Sequence, residues 1–145
     1  MQTVLVAGGA GFIGSNLCDR LLADNYKVIC VDNLLTGSRS NIEHLQGKES
    51  FTFLNHNVIE PLPEIGHIDA LFHLASPASP NHHSKLSYHA LPMETMLVNT
   101  KGTMELLRFA ERNKAKFLFA STSEAYGDPE IHPQTEDYRG NVSTT

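Results

Sequence analysis

The run Gly8-Gly9-Ala10-Gly11-Phe12-Ile13-Gly14 carries glycines at the spacing G-x-G-x-x-G. Glycines so placed permit a tight turn and let backbone approach a pyrophosphate, with a helix N-terminus behind them supplying N–H donors and positive dipole. Taken alone, the run would serve equally as a plain turn joining a strand to a helix. Asp32 follows roughly 20 residues later, the spacing at which a carboxylate accepts hydrogen bonds from the ribose hydroxyls of adenosine. Its neighbour is Asn33 rather than Arg, and only Arg39 lies close in sequence, so NAD is favoured over NADP. As an alternative, Asp32 is an ordinary strand-end turn residue.

The surrounding sequence supplies the elements such a site needs. Thr3 to Ala7 is an apolar, β-branched run of the kind found in strands buried on both faces, and it ends at Gly8-Gly9. Ile13, Leu17 and Leu21 recur every four residues, which predicts an amphipathic helix over 12–23. A second buried strand at 27–31 completes a right-handed βαβ unit. Ser40 is a candidate cap for a short helix through Leu45. Further strands are predicted at 51–54, 68–74 and 116–120, and a long helix over 93–112 despite Gly102. The stretch 76–87 reads as an exposed loop, and from Gly127 onward turn residues replace periodicity. The last residues, Asn141 to Thr145, show no helix or strand pattern. The fold class is therefore α/β, a Rossmann-type doubly wound parallel sheet expected to be incomplete at the C-terminus.

Composition narrows the function. In 145 residues, 41% hydrophobic content supports one packed domain, and the net charge of −5 without a basic cluster argues against nucleic acid or an anionic membrane. No run approaches the length of a membrane helix, and the N-terminus lacks a secretory signal pattern. Cys18 and Cys30, both in apolar patterns, fit buried thiols in a reducing cytoplasm. His82, His83 and His89 share a loop, but adjacent histidines point apart and no Cys or carboxylate completes a tetrahedron, so no metal site is expected. His73, in an apolar strand, is expected to be a satisfied core histidine. No G-x-S-x-G elbow exists for hydrolase chemistry.

Several motifs together carry a resemblance: GGAGFIG, Asp32-Asn33, His73-Leu74-Ala75, Asn99-Thr100-x-Gly102-Thr103, and Ser121-Thr122-Ser123-Glu124-x-Tyr126-Gly127. They resemble the extended short-chain dehydrogenase/reductases, the NAD-dependent sugar-nucleotide epimerases and dehydratases. The phrases DNLLTGSRSNIEHL, LASPASP and STSEAYGDPEIHPQTEDY are most similar to the UDP-glucuronate decarboxylases within that family. The resemblance implies NAD contacts at Gly8, Gly11, Phe12 and Ile13, then at Asp32, Asn33, Thr36 and Gly37. Further contacts are implied at Val58, Leu74, Ser76 and Thr95. Gly14, Asn57, Ala75 and Asn99 belong to the same cofactor-binding motifs. Thr122, Ser123 and Glu124 would stand over the sugar as catalytic residues, Thr122 hydrogen-bonding the reacting hydroxyl and Glu124 managing protons. Oxidation at C4, loss of CO2 and re-reduction would yield UDP-xylose from a UDP-sugar partner. A homodimer is a further implication. Ser121 and Glu124 also match a helix capping box, although Gly127 and Pro129 follow too soon for a normal helix.

The chain departs from the decarboxylase pattern at named places. Asn57 replaces an Asp, Ala125 a Val, and the stretch 81–91 is longer. Glu94 replaces a Lys, and a carboxylate there repels an anionic substrate. The family's catalytic base is the Tyr of Tyr-x-x-x-Lys, yet the residues four places after Tyr26, Tyr88, Tyr126 and Tyr138 are Cys30, Pro92, Glu130 and Val142. The expectation is that residues 1–145 are the NAD-binding part of a larger enzyme, without its substrate domain, binding dinucleotide weakly and not turning over alone. A 4,6-dehydratase or 4-epimerase fragment, or a non-catalytic dinucleotide-binding module, is the alternative.

Overall fold

In a computed structural model, which describes residues 1–142, alternating strands and helices build one parallel sheet. The unpatterned end expected at Ser143 to Thr145 lies outside the described residues. Strands β1 (Thr3–Ala7), β2 (Lys27–Asp32), β3 (Phe51–Asn55), β4 (Ala70–His73) and β5 (Lys116–Phe119) lie in the order β3-β2-β1-β4-β5. The doubly wound expectation is borne out, with the order reversing between β1 and β4.

The β1 side chains alternate between two cores. Leu5 and Ala7 join Ile29, Val31 and Leu71 beneath Leu106 and Phe109 of helix α3 (Thr103–Asn113). Val4 and Val6 join Val28 and Cys30 against Cys18 and Leu21 of helix α1 (Phe12–Ala23) and Ile42 and Leu45 of a 3-10 turn. With both faces covered, a one-residue slip would exchange the two cores, so the pairings Val4↔Val28 and Val4↔Ala70 are strongly specified.

Three local expectations are corrected. The 3-10 turn Arg39–Leu45 is capped by Ser38, not Ser40; the Ser38 hydroxyl accepts from the Ser40 N–H at 3.3 Å. Strand β4 is shorter than 68–74, because the Ile68 N–H is taken by the Asn113 side chain at 3.2 Å. The long helix is interrupted: helix α2 (Pro92–Leu97) passes through a widened π-turn, Val98–Gly102, into α3. Gly102 leaves room for Val58, whose Cγ2 lies 3.3 Å from where a Cβ would stand. The loop 76–87 is irregular as expected, yet it is organised around a fully buried Ser87, beside which the Tyr88 N–H donates to the Ser79 carbonyl at 3.2 Å. At the sheet edge, Leu118 and Phe119 of β5 are 47% and 45% exposed.

Leu106→Ala should lower stability by about 2–5 kcal/mol, since it opens a cavity between α3 and the sheet, whereas Leu107→Ala on the exposed face should stay within about 0.5 kcal/mol. Urea unfolding of the two variants checks the assignment of the buried face.

Candidate functional site

Because β1 and β4 are neighbours whose following segments leave toward opposite faces, a crevice opens at the carboxyl edge of the sheet. Gly8 forms its floor at φ +80°, and a Cβ there would stand 2.7 Å from the Ala75 nitrogen and the Leu74 carbonyl carbon. The glycine turn and the exit of β4 are thus in backbone contact. Gly14, on the first turn of α1, packs equally closely under the Gly8 carbonyl. The helix begins at N-cap Gly11 without a side-chain cap, so its first-turn N–H groups face outward without a partner from that residue.

Asp32 ties this turn to the end of β2. One carboxylate oxygen accepts from the Ala10 N–H at 3.0 Å and the other from the Leu34 N–H at 2.8 Å. Leu34 itself sits at φ +60°, a costly conformation for a branched residue and one that clusters at ligand sites.

The resulting cleft has a volume of about 140 Å³ and opens to solvent. Gly8, Gly11, Asp32, Asn33, Thr36 and Gly37 form one side. Asn57, Val58, Leu74, Ala75 and Ser76 form the other. The side chains of the remaining expected contacts do not line the cleft. Phe12 and Ile13 are 84% and 69% exposed at the helix start, and Gly14 is consumed in packing. The Thr95 hydroxyl donates to the Leu91 carbonyl at 2.7 Å, and Asn99 sits on the outer side of the π-turn. Thr122, Ser123 and Glu124 follow β5 as an exposed turn outside the cleft. Thr122, not Ser121, caps that turn, accepting from the Glu124 N–H at 3.2 Å.

Sequence reasoning missed part of the wall. Val31 and Pro77 flank expected residues and were within reach of the motif. His56 likewise flanks Asn57, whereas Leu97 and Val98 were out of reach, since only packing brings α2 and the π-turn to the opening. Glu94, on the first turn of α2, also lines the cleft and makes no ion pair among the described residues.

The histidines sort into two environments. His82 and His89 stack with ring centroids 3.8 Å apart, and among the described residues no three metal-binding side chains converge. His73 is 1% exposed; its Nε2 meets the Thr103 hydroxyl at 3.0 Å, but Nδ1 has no partner. It is therefore a half-satisfied core histidine rather than a satisfied one. Burial holds its imidazole below the ordinary value, opposed in part by the Val98 backbone. Cys18 and Cys30 are free and buried side by side, Cys30 pushed far up by the Cys18 thiol and by burial.

Comparison with known proteins places this geometry. A sequence model of the NAD dependent epimerase/dehydratase family matches residues 4–144. The chain belongs to that family. It is 49% identical over 142 residues to UDP-glucuronic acid decarboxylase 1 of Danio rerio, covering 98% of this chain and 32% of the relative. The UDP-Glc/GlcNAc 4-epimerase of Campylobacter jejuni superposes with TM-score 0.81 at 27% identity, over 99% of this chain and 44% of that one. The UDP-glucose 4-epimerase of Bifidobacterium longum, solved with NAD+ and UDP, gives TM-score 0.77 at 29% identity, over 97% and 43% of the two chains. This family member spans about a third of the length of the curated relatives it matches.

Gly8→Ala should strain the turn and push β4 away from β1, which a lowered melting temperature and shifted Ala75 amide signals would report. A second expectation follows from His73. With its pKa depressed in the folded state, the unfolded chain binds the extra proton, so stability falls as pH drops through about 6.5 and is level above it. Urea midpoints between pH 5 and 8 should show this slope in the wild type and lose it in His73→Leu.

Proposed function

We propose that residues 1–145 form the N-terminal, NAD-binding Rossmann part of a nucleotide-sugar-modifying enzyme, and that the whole enzyme acts on a UDP-sugar. The observation that carries this reading is the single cleft that joins Gly8 and Gly11, Asp32, and Val58 with Ala75 at the β1/β4 reversal. A dinucleotide fits the residues present. The Gly8 surface is bare backbone where a Cβ has no room, α1 is uncapped toward it, and Asp32 lies at the ribose distance along the chain. When bound, NAD supplies hydride-transfer chemistry.

The chain's own residues bind and orient. The first-turn N–H groups of α1 hold the pyrophosphate, Asp32 accepts from ribose hydroxyls, and Val58 with Ile59 offers an apolar face to adenine. Thr122, Ser123 and Glu124 are the candidates to contact the sugar, the threonine through its hydroxyl and the glutamate as a proton carrier. Relatives 49% identical are UDP-glucuronic acid decarboxylases, which supports conversion of UDP-glucuronate to UDP-xylose and CO2 by the whole enzyme. The half-exposed Leu118 and Phe119 support a further covering segment, and the exposed Met93, Met96, Met104 and Leu107 support association through helices.

Glu94 favours a second reading. Its unpaired carboxylate in the wall disfavours a uronate and suits a neutral hexose, as a 4-epimerase or 4,6-dehydratase would bind. The lack of Tyr-x-x-x-Lys within the chain supports a cofactor-binding part that is inactive alone.

Titration of the 15N-labelled chain with millimolar NAD should move the amide signals of Gly8, Gly11, Asp32, Val58 and Ala75 and leave those of residues 128–142 in place. Signals unmoved throughout would overturn the cofactor assignment. Mixed with NAD and UDP-glucuronate, the chain should release no CO2; measurable release would contradict its being inactive alone.

A further inference from the structure

Helices α2 and α3 run on as one rod, broken only by the π-turn Val98–Gly102. Such a turn gives up regular hydrogen bonding and commonly marks a functional position. Here three outside contacts hold it. Gly102 leaves space for the Val58 side chain, with Cγ2 3.3 Å from the position a Cβ would take. Lys101 Nζ reaches the Glu60 carboxylate at 3.1 Å. From the sheet below, His73 reaches Thr103 at 3.0 Å.

The third contact is directional. The Thr103 hydroxyl donates to the Asn99 carbonyl at 3.1 Å, with Val98 a longer second acceptor at 3.5 Å. With its one proton directed to that carbonyl, the hydroxyl accepts from the ring; this arrangement puts the His73 proton on Nε2 and leaves Nδ1 a bare acceptor. That Nδ1 is buried with no partner. An unpaired acceptor in a core is unfavourable, and a leucine would avoid the penalty. Its presence points to a ring held for what Nε2 does.

The turn it holds is also a wall of the cleft, since Leu97 and Val98 line the opening. We propose that His73 is a positioning residue for the dinucleotide cleft: through Thr103 it holds Val98–Gly102 in the widened form and so sets the Leu97–Val98 wall. The inference rests on the cleft being an NAD site, and it adds a polar relay from the carboxyl end of β4 to the cleft wall.

The test uses Thr103→Val, Thr103→Ser and His73→Leu in the 15N-labelled chain. In the wild type, long-range 1H–15N spectra should show His73 protonated on Nε2. Thr103→Val should shift the amide signals of Val98 to Gly102 and weaken NAD binding about three- to thirtyfold, while Thr103→Ser restores both. His73→Leu should melt at or above the wild-type temperature and still lose the turn signals and the affinity, an opposition that a purely structural histidine would not produce. Thr103→Val or His73→Leu binding NAD like the wild type, with the turn signals unmoved, would overturn the proposal; so would protonation on Nδ1. A wild type that ignores NAD overturns the cofactor reading and the proposed effect on the wall together, whereas the hold on the turn is decided by the spectra alone.

Discussion

The backbone of Gly8 touches the backbone of Ala75, and the rest of the site depends on that contact. It exists because strands β1 and β4 pair directly and because the first residue after β1 has no Cβ. Any side chain at Gly8 would separate the two strand exits and fill the crevice where they diverge. Asp32 then secures the arrangement from the β2 side, its two oxygens each taken by a backbone N–H, one in the glycine turn and one beyond β2. Three strand ends are thereby locked into one rim, and the cleft is the space that the rim leaves open.

The parts of this rim legible in the sequence are those set by local chemistry. A β-branched run ending in glycines, a four-residue apolar spacing and an acid at the second strand end are short-range patterns, and all three elements formed as expected. Long-range packing was not legible. Nothing in Met93 to Arg112 announces a π-turn; Gly102 reads as a tolerated helix glycine until Val58 is seen pressing on it. Likewise His73 reads as an ordinary core residue, since its bond to Thr103 depends on where α3 crosses the sheet. The wall formed by Leu97 and Val98 was missed for the same reason. Conversely, Phe12, Ile13, Thr95 and Asn99 carry family motifs, yet their side chains do not line the cleft.

Electrostatics divides the site into a generic and a particular half. The glycine turn, the uncapped helix and Asp32 would serve many dinucleotide-binding proteins of this family. Glu94 stands in the outer wall, a carboxylate with no ion pair among the described residues, at the mouth of an otherwise mostly apolar opening. The exposed turn at Thr122 to Glu124 follows β5 on the same carboxyl side of the sheet. Membership of the epimerase/dehydratase family is consistent with this division, in which one cofactor site serves several sugar reactions.

The proposed reading of the adenosine ribose by Asp32 is tested most directly by the ratio of NAD to NADP affinity for the wild-type chain. A carboxylate already held by two N–H groups, with Asn33 beside it, repels a 2′-phosphate, and Arg39, the nearest arginine in sequence, lies over the Phe53 ring at 5.1 Å. The account predicts that NAD binds and that NADP binds at least about tenfold more weakly. NADP binding as tightly as NAD, or more tightly, would contradict it.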